Sequence, residues 1–181
     1  MARARKTAQR EKLIDDIIES MASHELFSDN VARKDDEAAI QKTLFLRLEK
    51  GGSLKQILTE NNRASNKDKA QQIALKNFAY EQDKNTTVKQ FNSFGTSHRP
   101  DAVLELSDMR IAIEIKKGTN GSAIRSGLGQ CVLYSEEYDF VIYMFIDQTP
   151  GLNIKNSVTG EKEQRIIDNL WKQDNVKFVV V

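Results

Sequence analysis

Phe140-Val141-Ile142-Tyr143-Met144-Phe145-Ile146 runs for seven residues without a polar break. As a strand, such a run has no face to turn to water, so it has to lie inside a sheet covered on both sides. It is far short of the ~20 apolar residues that a membrane-spanning helix needs, and no other run comes nearer. The chain around it must therefore supply two covering layers. With 39% hydrophobic and 29% charged residues over 181 positions, it has the material for amphipathic helices and is neither a membrane protein nor a disordered tail.

Helical periodicity supplies those layers. Leu13, Ile14, Ile17, Ile18 and Met21 recur at helical spacing within a segment from Arg3 to about Ala22. A second helix is predicted over Asp35 to Lys50, with Ala38, Ile40, Leu44 and Leu48 as its stripe and Gly51-Gly52 ending it. A third covers Asn66 to Glu81 and includes Ile73, Phe78 and Ala79, with residues 60–65 before it as loop. Beyond Lys84 the pattern changes to strands over Thr86–Phe91, Asp101–Leu106 and Met109–Lys116. A helix over Ser122–Ser135 follows, with Ile124, Leu128, Cys131 and Val132 on one face. The apolar strand, a helix over Glu161–Lys172 carrying a core Trp171, and a last strand over Val176–Val181 complete the chain. The expected class is α/β: a mixed central sheet flanked by helices. The predicted division is an N-terminal helical region, 1–65, and an α/β core, 66–181. The strands at Met109 and Phe140, joined through a helix, should run parallel.

The segment 101–116 can be tested for register. If Ser107-Asp108 is a two-residue turn, Leu106 faces Met109, Leu104 faces Ile111 and Ala102 faces Ile113, all apolar. Glu105 then meets Arg110, an opposite-charge cross-strand pair, and a slip of one residue would mix the faces. The same register sets Asp101 opposite Glu114, with Cβ atoms roughly 5 Å apart, and Lys116 on the same face. Two partly buried carboxylates at that distance repel unless a cation lies between them. Mg²⁺, a hard ion that takes oxygen ligands, is the first choice, with the Ile115 carbonyl as a third ligand. Lys116 would orient water or steady charge on a phosphate. The plainer account of Glu114-Ile115-Lys116 is a solvated strand face.

Pro100-Asp101, twelve residues, then Glu114-Ile115-Lys116 resembles the signature of the PD-(D/E)XK nuclease superfamily, the restriction-endonuclease-like fold. The order of elements from about residue 66 onward is similar to that superfamily's core, and Gln130-Cys131-Val132-Leu133-Tyr134 resembles its Gln-x-x-x-Tyr motif on the following helix. The resemblance implies Asp101 and Glu114 as metal ligands, Lys116 as the catalytic lysine, and Gln130 and Tyr134 at the active-site rim. It also implies one more acid on an earlier helix. Glu37 is the best candidate, against helix-dipole stabilisation as its ordinary use. Arg99, Lys117 and Arg125 would contact nucleic-acid phosphates, or be solvated charges. Gly127 and Gly129 suggest close approach of their helix to another backbone or to a phosphate. His98 reads as surface loop.

The implied function is a Mg²⁺-dependent deoxyribonuclease, with Mn²⁺ as substitute, serving restriction, recombination or repair. The alternative is a catalytically inactive DNA- or protein-binding module of the same fold. The charge balance, 27 Lys and Arg against 26 Asp and Glu, announces no nucleic-acid partner globally. Between Lys84 and Arg125, however, seven basic residues stand against four acidic ones. The basic Arg3, Arg5, Lys6, Arg10, Lys12 cluster offers a second backbone contact, or only a soluble helix start. A single cysteine, Cys131, excludes an internal disulfide, and with only His24 and His98 a multi-histidine metal site is not expected. The basic start lacks the apolar stretch of a secretory signal, so the expected location is the cytoplasm. A homodimer would pair two sites for double-strand cleavage.

Overall fold

In the computed structural model, which describes residues 5–22, 27, 36–84 and 87–181, the apolar run is the middle of a five-stranded sheet. Arg3, His24, Asp35 and Thr86 lie outside the described residues. In chain order the elements are α1 (Ala8–Ala22), α2 (Glu37–Glu49), α3 (Ser53–Glu60), α4 (Lys67–Asn77), β1 (Phe78–Tyr80), β2 (Phe91–Ser93), β3 (Thr96–His98), β4 (Ala102–Leu106) and β5 (Met109–Gly118). They continue as α5 (Gly121–Glu137), β6 (Phe140–Asp147), α6 (Asn153–Ser157), α7 (Glu161–Asp174) and β7 (Val176–Val180). The class is α/β with a mixed sheet, as expected.

The sheet order is β1-β4-β5-β6-β7. β1 and β4 are antiparallel, as are β4 and β5; β5 and β6 run parallel, as do β6 and β7. Every residue of β6 is buried, which is why its sequence has no polar alternation. The β4–β5 register is the predicted one, from Ala102 opposite Ile113 to Leu106 opposite Met109. Ser-Asp is a poor hairpin pair on local grounds, and tertiary contacts hold it: Arg10 and Arg63 both pair with Asp108, at 3.0 and 2.9 Å.

Pleat alternation sorts the two faces. Ile111, Ile113 and Ile115 point into a core shared with Leu13, Ile14 and Ile17 of α1, Ile40, Leu44 and Phe45 of α2, and Leu54 and Leu58 of α3. Ala112 and Val103 point the other way, into a smaller core with Cys131 and Tyr134 of α5. The N-terminal helices thus cover one face of the sheet.

Several local expectations change. Phe78-Ala79-Tyr80 is not the end of a helix but the edge strand β1, paired with Ala102–Leu104. Its two aromatics face the core alongside Phe45, a gain that a helix end could not offer. The strand expected over 86–91 starts only at Phe91 and forms the separate hairpin β2–β3, which places His98 in a strand rather than a loop. α3 and α6 are additional helices: α3 buries Leu54, Ile57 and Leu58 at helical spacing over only eight residues, and α6 has five residues and none buried. Ala38 and Val132 lie exposed, while Phe45 takes a place in the α2 stripe. Trp171 is half-buried against Phe140, with Lys6 and Lys177 over its ring. No helix among the described residues is long and apolar enough to cross a membrane.

Candidate active site

β5 outruns β4, and the site forms where the partner strand gives out. Continued past Ala102 opposite Ile113, the register would bring Pro100 to Ile115, and Pro100 has no N–H to offer. The backbone of Ile115 is served by side chains instead: its N–H donates to Asp101 Oδ2 at 2.7 Å, and its carbonyl accepts from Gln41 Nε2 at 3.3 Å. Asp101 is thereby fixed beside β5, near enough to Glu114 for the two charges to act on each other. Both acids are buried, at 6% and 1% exposure, where a solvated strand face would leave them open.

Lys116 closes the group. Its Nζ lies 2.9 Å from Glu114 Oε1 and 3.5 Å from Glu37 Oε1. Glu37, in the first turn of α2, also accepts the Lys117 N–H through Oε2 at 3.0 Å. Glu37 therefore reaches the site, as a partner of Lys116 and of the β5 backbone. From α5, the Tyr134 hydroxyl donates to the Arg99 carbonyl at 2.9 Å, tying that helix to the chain entering Asp101. Gln130, one helical turn earlier, keeps its Oε1 buried without a hydrogen-bond donor; Glu114 Oε2 is also buried, with the Tyr134 hydroxyl close by but its proton turned to the Arg99 carbonyl.

The electrostatics follow from burial. Desolvation, then the neighbouring Glu114 charge, push Asp101 up to about 8, against the smaller pull of the Ile115 N–H. Glu114 is also raised by burial, with the Lys116 ammonium acting against it. Burial alone would lower Lys116, but Glu114 beside it more than offsets this and holds the amine protonated. Cys131 lies beneath the acids on α5, and its thiol is pushed well up by burial.

The remaining predicted contacts are more scattered. The Arg99 guanidinium pairs with Glu81, and Arg125 is exposed on the second turn of α5. Gly127 does make a close approach, but to the Tyr143 side chain rather than to a backbone or phosphate, and Gly129 faces open space. Gln41 was not predicted. It bridges Gln82, at 2.9 Å, and the Ile115 carbonyl. Its position four residues after Glu37, on the same helix face, is the signal that could have found it.

The fit to a hard cation can be judged on these atoms. Among the described residues no three His, Cys, Asp or Glu side chains form a ready cage. The donors are two carboxylates that resist ionising together, an orphaned Glu114 oxygen and the Ile115 carbonyl, whose second lone pair lies beyond the long Gln41 bond. A carboxylate oxygen buried beside a hydroxyl that is already donating elsewhere is costly as it stands, so an ion with oxygen-ligand preference suits this set. No protein-family model, curated protein or solved structure matches the chain.

Proposed function

We propose that the chain is a metal-dependent nuclease that hydrolyses DNA phosphodiester bonds, as its resemblance to the PD-(D/E)XK superfamily implies. The observation that carries this reading is the buried Asp101–Glu114 pair, with Glu114 Oε2 lacking a donor and the Lys116 ammonium 2.9 Å from Glu114 Oε1. A structural ion pair would leave no acid oxygen over; here Glu114 Oε2 stays buried with only the Tyr134 hydroxyl beside it, whose proton goes to the Arg99 carbonyl, which leaves that oxygen open to a ligand.

Asp101, Glu114 and the Ile115 carbonyl would hold Mg²⁺, or Mn²⁺ in its place. Such an ion, when bound, neutralises charge on the phosphate and lowers the pKa of a water. The chain's own groups do the rest. The Lys116 ammonium supplies a positive charge that orients water and steadies the phosphate oxygens. Glu37 and Glu114 hold that amine from two sides, which fixes its direction. Asp101 and Gln41 hold the two peptide groups on either side of the Ile115 Cα, and Tyr134 anchors the chain leading into Asp101. Gln130 offers its unpartnered Oε1 as an acceptor to water.

The test is incubation with plasmid, linear and branched DNA in Mg²⁺ or Mn²⁺. Wild type should cleave at least one of the three; Asp101→Ala should abolish cleavage, and Lys116→Ala should slow it by about 10²–10³-fold. Cleavage by either variant at the wild-type rate would refute the assignment.

A further inference from the structure

The hairpin β2–β3 ends in a residue that the fold does not use. Phe94 is 89% exposed. It has φ of 51° and the following Gly95 has φ of 72°, so the two form a turn of the mirror-image kind found in tight hairpins. Asn or Gly suits the first of these positions; a bulky side chain there is strained. The Phe94 ring, left in water, buries nothing in return.

The hairpin that presents it is braced. Two strands of three residues do not stand alone in water. Thr96 Oγ1 donates to the Ser93 carbonyl at 3.0 Å and meets His98 Nε2 at 2.8 Å, and Ser97 Oγ donates to Gln90 Oε1 at 3.0 Å. At its base, the Phe91 ring packs on His98 and, edge-on, on Tyr134 and Tyr138, with centroids 5.5, 5.9 and 6.3 Å away. Tyr134 is the same residue that ties α5 to Arg99 at the candidate site. Seven chain steps separate Phe94 from Asp101, which limits the distance between them to about 25 Å.

The setting of the ring selects its partner. From Lys84 through Pro100 there is no Asp or Glu, while Lys84, Lys89 and Arg99 are basic, the last with its charge shared with Glu81. The ring's neighbours at the tip, Asn92, Ser93, Thr96 and Ser97, are polar, so it belongs to no apolar patch that would suit a protein partner or a lipid surface. A nucleic-acid base needs only one ring face, with polar and basic groups around it for sugar and phosphate. In uninterrupted duplex those faces are already stacked on one another.

We infer that Phe94 is a stacking platform for an unpaired base, so that the substrate class is DNA with single-stranded or frayed bases near the scissile phosphate; this rests on the nuclease reading above. Binding is measured in EDTA by fluorescence anisotropy, on a labelled oligothymidylate and on a duplex of equal length, for wild type, Phe94→Ala, Phe94→Asn and Phe94→Trp. The Ala and Asn variants should lose about 5- to 150-fold on the single strand and less than about twofold on the duplex, while Trp retains binding. Asn suits the turn, so its failure to bind would report the lost ring rather than a damaged hairpin. A 2-aminopurine base in the single strand should be quenched by wild type and not by Phe94→Ala. Unchanged single-strand binding in the Ala and Asn variants, equal losses on both DNAs, or no DNA binding by wild type would overturn the inference. Mg²⁺-dependent cleavage of the same DNAs separates the two claims. Ring-dependent binding without cleavage refutes the nuclease and keeps the platform; cleavage indifferent to the ring does the reverse.

Discussion

At the scale of single residues, the acid pair makes a prediction about stability as well as chemistry. Asp101 titrates near its ordinary value of 3.8 when unfolded and near about 8 when folded. Between those limits the folded chain holds a proton that the unfolded chain has released. Stability therefore falls as pH rises from about 4 toward 8. Asparagine at 101 keeps an oxygen for the Ile115 N–H and carries no charge. In EDTA at pH 8, Asp101→Asn should melt about 2–8 °C above wild type, corresponding to about 1–2 kcal/mol; at pH 4 the difference should vanish. Thermal melts at the two pH values check this, and equal melting at pH 8 would show that the pair is not a buried repulsive one. The nearness of the pair was legible in the sequence because a register becomes a distance: Ala102 opposite Ile113 brings the next residues, Asp101 and Glu114, together. Gln41 was not legible in the same way. Its contact with Ile115 crosses 74 residues, from a helix whose local period says nothing about which strand end it will meet.

At the scale of elements, α5 contains two glycines that look alike in sequence and differ in space. A Cβ on Gly127 would collide with the Tyr143 hydroxyl, which is buried in the centre of β6, whereas a Cβ on Gly129 meets nothing within 4 Å. Gly127→Ala should cost about 1–3 kcal/mol through overpacking. Gly129→Ala should gain about 0.5–1 kcal/mol from helix propensity alone. Urea unfolding midpoints should therefore move in opposite directions, and a loss for both would mean that the exposed side of α5 is packed against something. Helix propensity marks both glycines as unusual without telling them apart, because the distinction comes from a side chain on another element. The same limit explains which elements were read well. β6, α1 and α7 carry long, consistent patterns. β1 has three residues that continue a helical stripe, and only its pairing with β4 makes it a strand. The β2–β3 turn uses Phe94-Gly95, without the Asn-Gly or Asp-Gly pair that announces a hairpin.

At the scale of the whole molecule, the helical region and the sheet share one hydrophobic core. The larger core joins α1, α2 and α3 to β1, β4, β5 and β6 without a seam at residue 65. α2 also crosses from structure into chemistry: Ile40, Leu44 and Phe45 bury the sheet, while Glu37 and Gln41 on the same helix hold Lys116 and the Ile115 carbonyl. A fragment comprising 66–181 contains every residue of the resemblance except the early acid, yet it would expose Ile111, Ile113 and Ile115 along one whole face of the sheet. At ~25 cal/mol per Å² of apolar surface, exposing about 600 Å² would already offset the 5–15 kcal/mol by which domains of this size are stable. The fragment should therefore show no cooperative urea transition and should bind hydrophobic dye, where the full chain gives a single transition. A sharp transition in the fragment would instead make the helices an attachment, and Lys116 would then have to keep its place through Glu114 alone.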